Sequence, residues 1–203
     1  MANVALIGAS GNAGSRILTE LSERSHLVTA IARHPERIAK LPGVMARQGD
    51  VYDRAGLTEM LRGHDAVISS VHFTASDADT LIGAVRDSGV KRYLVVGGAG
   101  SLEVAPGQRL IDQPDFPAEY KGEASAGVAF LERLRAVEDL DWTFLSPSAL
   151  FVPGERTGDF RLGKDTLLSN EQGSSISFED YAIALIDELE RPAHVRQRFT
   201  VGY

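Results

Sequence analysis

A glycine-rich turn near the amino terminus is the part of the sequence whose residue types and spacing most directly imply chemistry. A short apolar run, Val4 to Ile7, leads into Gly8, Gly11 and Gly14 at three-residue spacing, and an amphipathic stretch follows. A tight strand-to-helix turn favours a residue without a Cβ, as does close approach of the backbone to phosphate. The helix that follows offers free N–H groups with partial positive charge. The motif predicts a cradle for a dinucleotide pyrophosphate, although a tight turn also uses glycine for its geometry alone.

The residue after the second predicted strand bears on which nicotinamide cofactor would fit. Sites that prefer NAD usually place Asp or Glu there, against the ribose 2'-hydroxyl, whereas this chain has Arg33. A guanidinium donates two parallel hydrogen bonds to a 2'-phosphate, which a carboxylate would repel. We therefore expect NADP(H) to be preferred over NAD(H), the alternative being that Arg33 is a solvated charge. Arg37, one turn further on, fits that alternative better.

A carboxylate and a backbone amide follow the third predicted strand. Asp50 and Val51 come directly after Gly49, where the run Val44 to Gln48 ends. This pair of groups suits the amino edge of an adenine. An aspartate at a strand end also commonly closes a turn or caps a helix, and that alternative stays open.

Strand-like apolar runs alternate with helix-patterned segments along most of the chain. We predict strands at Val4–Ile7, Leu27–Ala32, Val44–Gln48, Ala66–Val71, Arg92–Val96, Trp142–Leu145 and Arg198–Val201. We predict helices at Asn12–Arg24, Arg54–Arg62, Ala78–Ser88, Glu119–Val137 and Tyr181–Leu189. The alternation indicates an α/β protein with a Rossmann-type, doubly wound parallel sheet and helices on both faces. We expect residues 1–203 to form a single domain with a small C-terminal region on the substrate side.

Two long segments without clear periodicity, 100–117 and 147–164, begin where predicted strands end. Open α/β sheets bind their ligands at such strand ends, so we expect both segments to surround a ligand. The alternative is that they are solvated connections. Further on, Ser177 and Asp180 resemble a capping box ahead of the last helix.

Composition excludes several classes of function. The net charge of -7 argues against a dedicated nucleic-acid binder, and the absence of cysteine excludes disulfides, thiolate metal sites and a cysteine nucleophile. His72 has no second histidine or carboxylate at metal-ligand spacing and the other histidines are scattered, so we expect no metal. No apolar stretch approaches the roughly 20 residues that span a bilayer. Because the sequence enters a strand without a leader-like segment, a cytoplasmic location is expected.

Six segments together resemble the atypical short-chain dehydrogenase/reductases. Within that superfamily the resemblance is to small bacterial NAD(P)H-binding proteins described as proposed NADH-flavin reductases, which are relatives of the nitrogen-metabolite-repression regulators. It covers nearly the whole chain and is carried by Gly8 to Gly14, Ala32-Arg33, Gly49 to Val51, Gly97 to Ser101, Asp141 to Thr143 and Ile176 to Ala182.

The resemblance implies where the cofactor lies. It places an NADP(H) or NAD(H) site at Gly8, Ser10, Gly11, Asn12, Ala13, Arg33, Asp50 and Val51. On the nicotinamide side it implies contacts near Ser69, Ser70, Gly97 and Gly98.

The chain departs from the main short-chain dehydrogenases at the proton donor. Those enzymes use a Tyr-x-x-x-Lys pair, in which the lysine lowers the pKa of the tyrosine. If Tyr120 is the tyrosine, the lysine position is Ala124, and alignment on the following strand puts the pair at Ala124 and Val128. Flavin reduction needs only two aligned rings, because water can supply the remaining proton. We therefore predict an NADP(H)-preferring reductase that passes hydride to a small planar acceptor, a free flavin first and a quinone next.

Two residues are candidates for a role beside the acceptor. Ser101 is placed to donate a hydrogen bond to it, although such a serine often satisfies a turn. Tyr120 is placed to line the pocket, with a structural tyrosine as the alternative. Among the aromatic residues, Trp142 is expected in the core, which leaves Phe151 and Phe160 as a flavin platform.

A second class of function stays open. An intact cofactor cradle without the acid pair also suits a binding module that senses the NADP(H)/NADP+ balance and acts through a protein partner. A reductase of isoflavone-like or sugar-nucleotide substrates is a third possibility, which the short C-terminal region disfavours. A monomer or a homodimer is expected.

Overall fold

The computed structural model describes residues 1–203 and is built on one eight-stranded sheet. Its strands are β1 (Asn3–Ile7), β2 (Leu27–Ala32), β3 (Val44–Gln48), β4 (Ala66–Ser69), β5 (Arg92–Val96), β8 (Asp141–Pro147), β10 (Arg161–Gly163) and β12 (Gln197–Gly202). Their order across the sheet is β10, β12, β8, β5, β4, β1, β2, β3. All neighbours are parallel except β10, which pairs antiparallel with β12. The predicted α/β fold with a mostly parallel sheet is confirmed.

Five helices cover the two faces of the sheet. They are α1 (Asn12–Glu23), α2 (Arg54–Leu61), α3 (Ala78–Ser88), α4 (Lys121–Arg135) and α5 (Phe178–Glu190). Alternate residues of β1 divide the core: Val4 and Leu6 pack with α1 and α5, whereas Ala5 and Ile7 pack with α2, α3 and α4. Because both faces are buried, the central strands appear in the sequence as continuous apolar runs. No helix has the length and apolar character needed to cross a membrane.

The order of the strands reverses beside β1. The chain runs from β1 outward through β2 to β3, and then returns to β4 on the other side of β1. The carboxyl ends of β1 and β4 therefore flank the crevice where open sheets of this kind bind ligands. The glycine-rich turn after β1 opens into this crevice.

The two long segments have more structure than the sequence indicates. The first contains a small hairpin, β6 (Glu103–Ala105) and β7 (Gln108–Arg109), and the second contains β9 (Leu150–Val152) and β10. β9 pairs in parallel with β11 (Ser175–Ser177). The first segment also joins the residues that directly follow the second. The Glu103 N–H donates to the Asp165 carbonyl at 2.8 Å, and the Glu103 carbonyl accepts from the Leu167 N–H at 2.9 Å. They form one connected unit at the carboxyl end of β8.

The predicted capping box forms only in part. The Ser177 hydroxyl accepts from the Asp180 N–H at 2.9 Å and caps α5, as predicted. The buried Asp180 carboxylate does not complete the box. It accepts instead from the N–H groups of Thr157 and Gly158, both at 2.8 Å, and from the Tyr203 hydroxyl at 2.7 Å. The acidic residue therefore fastens the second long segment to the start of α5.

Candidate functional site

The first residue of the turn after β1, Gly8, has no room for a side chain. Gly8 has a φ of 85°, and a Cβ there would overlap the carbonyl oxygen of Ser70. The Gly8 N–H donates to the Ile31 carbonyl at 2.9 Å, and the Ser70 N–H donates to the Ile7 carbonyl at 2.8 Å. Glycine is required here by conformation and by space at once. The ends of β1, β2 and β4 are thereby held together under the turn.

The start of α1 presents free donors above this turn. Its N-cap, Gly11, provides no side-chain hydrogen bond, and the first helical turn contains no acidic residue. The N–H groups of Asn12 and Ala13 donate to no group of the chain. A Cβ at Gly14 would overlap the Gly8 carbonyl, so α1 lies directly against the turn. Ser10, Gly11 and Asn12 are exposed, and this arrangement fits a pyrophosphate.

Two free cations follow β2. Arg33 and Arg37 are both exposed, and neither guanidinium forms an ion pair with a carboxylate. The nearby Glu36 lies beside His34 instead, at 3.2 Å. The charge of Arg33 is therefore available to an anionic ligand at the carboxyl end of β2.

Asp50 closes a turn with one of its two carboxylate oxygens. Its Oδ1 accepts from the Tyr52 N–H at 2.9 Å, so Asp50 closes a turn, which was the alternative that the sequence left open. Asp50 is exposed, and no group of the chain donates to its Oδ2. Val51 is half-buried against the core. The free oxygen is the part of this predicted pair that can meet an adenine.

Ser69, the last residue of β4, and Ser70, which follows it, differ in what they present. Ser69 is 2 % exposed, and its hydroxyl lies 2.9 Å from that of Tyr93 inside the core. This corrects the expected nicotinamide-side contact for the Ser69 side chain. Ser70 is half-buried beside Gly8 and remains at the crevice.

A buried tyrosine that the sequence reasoning missed fixes the turn after β5. The Gly97 N–H donates to the Leu145 carbonyl at 2.9 Å and lies 3.3 Å from the Tyr181 hydroxyl, which donates to the same carbonyl at 2.6 Å. Burial raises the pKa of Tyr181, so this hydroxyl stays protonated. A Cβ at Gly97 would overlap the ring of Phe144. Gly98 is half-buried next to it.

A carboxylate on α4 clamps the loop that follows β4. The Oε1 of Glu123 accepts from the Phe73 N–H at 2.7 Å, and its Oε2 accepts from the Thr74 N–H at 3.0 Å and the Thr74 hydroxyl at 2.6 Å. His72 lies 3.4 Å from the same carboxylate and is otherwise exposed. Partial burial raises the pKa of Glu123, but the hydrogen bonds from Thr74 and Phe73 outweigh it and lower the pKa overall. The sequence contains no local signal for this contact.

Small residues let α4 lie close to the strand ends. A Cβ at Gly100 would come within 3.0 Å of the Ala124 Cβ, and one at Gly127 within 3.0 Å of the Phe73 ring. Phe73 in turn stacks on Phe144, with ring centroids 6.0 Å apart. At Ala124, one of the positions at which a tyrosine or lysine would be sought, α4 therefore lies close to Gly100.

The two acceptor-side candidates are in different surroundings. Ser101 is half-buried, and its hydroxyl accepts from Arg198 at 3.0 Å. Tyr120 is 63 % exposed at the start of α4, and its hydroxyl bonds to no group of the chain. The structure does not bring these two hydroxyls into a shared hydrogen-bond network.

The aromatic candidates are largely packed. Phe151 contacts the rings of Phe178 and Tyr181, with centroid distances of 4.5 and 4.7 Å. Phe160 is half-buried against the same core. Trp142 is in the core as predicted, and its indole N–H donates to a backbone carbonyl at 3.1 Å. An open flavin platform made by Phe151 and Phe160 is thus not present.

Comparison with protein families agrees with this geometry. Residues 8–192 match the family model described as NAD(P)H-binding. The chain belongs to the NAD(P)H-binding family. The match begins at Gly8, the residue on which the turn depends, and it extends beyond α5.

Three solved structures resemble this NAD(P)H-binding protein over nearly its full length. A proposed exported protein from Burkholderia pseudomallei is 45% identical, with a TM-score of 0.91. The match covers 100% of this chain and 100% of that protein. A proposed epimerase from Bacteroides thetaiotaomicron is 43% identical, with a TM-score of 0.94. The match covers 99% of this chain and 96% of the epimerase chain. SP1627 of Streptococcus pneumoniae TIGR4, a proposed NADH-flavin reductase, is 37% identical, with a TM-score of 0.80. The match covers 100% of this chain and 99% of SP1627.

Together the family and the fold confirm the resemblance to atypical short-chain dehydrogenase/reductases that the sequence motifs indicated. The prediction of an NAD(P)H-dependent oxidoreductase is confirmed at the same coarse level.

Replacing Gly8 tests the turn. Gly63 has a similar φ, 77° against 85°, but open space where a Cβ would be, so it controls for backbone strain. We expect Gly63→Ala to cost about 1 to 2 kcal/mol of unfolding free energy and to keep NADPH binding. Gly8→Ala should cost more and lose NADPH binding, as measured by thermal unfolding and by titration of NADPH fluorescence. Equal melting and equal NADPH affinity of the two variants would contradict this account.

Replacing Glu123 with glutamine tests the clamp on the loop after β4. Because the pKa of Glu123 is below its usual 4.5 in the folded protein, its contribution is complete above pH 4.5 and is lost as the pH falls through the lowered value. We expect Glu123→Gln to cost about 1 to 2 kcal/mol at pH 7 and progressively less below pH 4.5. Urea unfolding at several pH values measures this, with the exposed Glu119→Gln as the control. A pH-independent difference would rule the clamp out.

Proposed function

We propose that this protein is an NADP(H)-preferring reductase that passes hydride to a small planar acceptor, a free flavin first and a quinone next. One observation carries the proposal: the N–H groups of Asn12 and Ala13 after the glycine turn are free, whereas no lysine follows Tyr120 or Ala124 at the spacing of a Tyr-x-x-x-Lys pair. Donors for a dinucleotide are therefore present, and the acid pair used in carbonyl chemistry is not. An acceptor that takes its proton from water requires neither residue of that pair.

On the cofactor side, each predicted residue has a role that its surroundings permit. The free N–H groups of Asn12 and Ala13 would bind the pyrophosphate, with Ser10 beside them. Arg33 would hold a 2'-phosphate with its unpaired guanidinium. The free oxygen of Asp50 would accept from the adenine amino group.

On the nicotinamide side, the chain would position the ring. The turns at Ser70 and Gly97 are fixed by backbone hydrogen bonds, and Glu123 holds the loop between them and α4. A bound dihydronicotinamide supplies the hydride, which carries two electrons and becomes part of the reduced acceptor while water supplies the proton. Ser101 would donate a hydrogen bond to the acceptor, and Tyr120 stays a prediction.

The solved relatives support a redox acceptor of this kind. SP1627, with 37% identity over the full chain, is itself a proposed NADH-flavin reductase. Other relatives of comparable identity carry different descriptions, so the acceptor has to be tested directly.

Anaerobic oxidation of NADPH tests the proposal. The purified protein is mixed with excess FMN, riboflavin or a naphthoquinone, beside parallel reactions with NADH and a protein-free blank. We expect saturable turnover with at least one acceptor and a higher kcat/KM for NADPH than for NADH. Tight NADPH binding without turnover of any acceptor would contradict the reductase and favour the redox sensor that acts through a protein partner.

Arg33→Ala tests the cofactor preference. Loss of a bidentate contact to the 2'-phosphate should weaken NADPH binding by roughly 1.5 to 3 kcal/mol and leave NADH binding almost unchanged. Arg37→Ala is the matched control, because Arg37 is also exposed and unpaired. Fluorescence titrations with both cofactors give the four affinities. Equal weakening of NADPH and NADH by Arg33→Ala would refute the assignment.

A further inference from the structure

A buried guanidinium lies where the two long segments join. Arg198 on β12 is 8 % exposed, and its Nη1 donates to the Ser101 hydroxyl at 3.0 Å. Its Nε and Nη2 donate to a single oxygen of Asp165, at 2.9 and 2.6 Å. Nη1 also lies 3.5 Å from the Ser146 hydroxyl of β8. Arg198 thus touches one residue of the first long segment, one residue that directly follows the second, and one residue of β8.

The chemistry of this contact determines how Ser101 can act. A guanidinium has donors and no acceptor, so the Ser101 oxygen must accept from Arg198. The hydroxyl proton of Ser101 then has no acceptor within the chain. Because Ser101 is half-buried and follows the turn at Gly97 and Gly98, this proton is available to a molecule at the strand ends.

We propose that Arg198 is a positioning residue that holds Ser101 as a hydrogen-bond donor to the acceptor. This inference rests on the proposed reductase function. When hydride reaches a flavin or quinone, negative charge develops on its ring nitrogen or carbonyl oxygen, and a fixed donor stabilises that charge. The hydrogen bond from the guanidinium polarises the Ser101 hydroxyl and makes it a stronger donor. No proton leaves Ser101, since water completes the reduced acceptor.

A strand of the same sheet, β5, provides a matched control for the purely structural role of such an arginine. Arg92 on β5 is also largely buried, and it donates to the Thr143 hydroxyl at 2.7 Å and to Glu188 at 3.0 Å. Arg92 pairs in register with Asp141, so it lies at the amino end of the sheet, away from the crevice. Arg92→Lys therefore reports what replacing a buried arginine does to the fold alone.

The test is a double-mutant cycle of Ser101→Ala and Arg198→Lys, with Arg92→Lys as the control. Thermal unfolding first checks that every variant is folded. We expect each single change at Ser101 or Arg198 to lower kcat about 10- to 100-fold with FMN and NADPH, with the KM for NADPH unchanged. The double variant should be no slower than Ser101→Ala, and Arg92→Lys should keep the wild-type kcat. If the decrease in kcat of the double variant equals the product of the two single decreases, or if Ser101→Ala keeps the wild-type kcat, the inference is overturned.

A binding measurement separates this inference from the proposed function. Oxidised FMN is titrated into the NADP+-loaded protein and followed by quenching of flavin fluorescence. We expect Ser101→Ala and Arg198→Lys each to weaken FMN binding about 3- to 10-fold, and the double variant no further. If the wild type binds FMN without turnover, the reductase fails and these affinities still decide the role of Arg198. Unchanged affinity overturns the inference alone, and no FMN binding by the wild type overturns both.

Discussion

The space under Gly8 constrains most of the cofactor side of this protein. The carbonyl of Ser70 lies where a side chain would be, and the carbonyl of Gly8 itself lies against Gly14 in α1. Three backbone segments therefore meet with no side chain between them, and α1 is held at a fixed height above the ends of β1 and β4. This close contact places the start of α1, with its free N–H groups, directly against the glycine turn.

The sheet could be predicted from the sequence because strands that are buried on both faces consist almost entirely of apolar residues. The central strands are covered on both sides and therefore appear as continuous apolar runs, and the glycine turn is recognisable from spacing alone. The same double burial hides which residue faces where: of Ser69 and Ser70, one is bonded to Tyr93 in the core and the other reaches the crevice. No local pattern distinguishes them.

Contacts across long stretches of chain were the part that could not be predicted. Glu123 binds the loop around Thr74, and Arg198 binds Ser101 and Asp165, although these partners lie 33 to 97 residues apart in sequence. Each contact joins a buried or half-buried charge to groups of an irregular segment, where hydrophobic periodicity gives no information. The irregular segments are therefore held in part by charge-assisted hydrogen bonds, whereas the glycine turn is held by backbone packing.

The contact between Gly100 and Ala124 has a consequence for how this fold tolerates substitution. Since a Cβ at Gly100 would come within 3.0 Å of the Ala124 Cβ, a larger residue at position 100 requires α4 to move outward. A lysine at position 124 would, by spacing alone, complete a Tyr-x-x-x-Lys pair with Tyr120, which is 63 % exposed. Gly100 is therefore the position at which a single substitution is coupled to the placement of a whole helix.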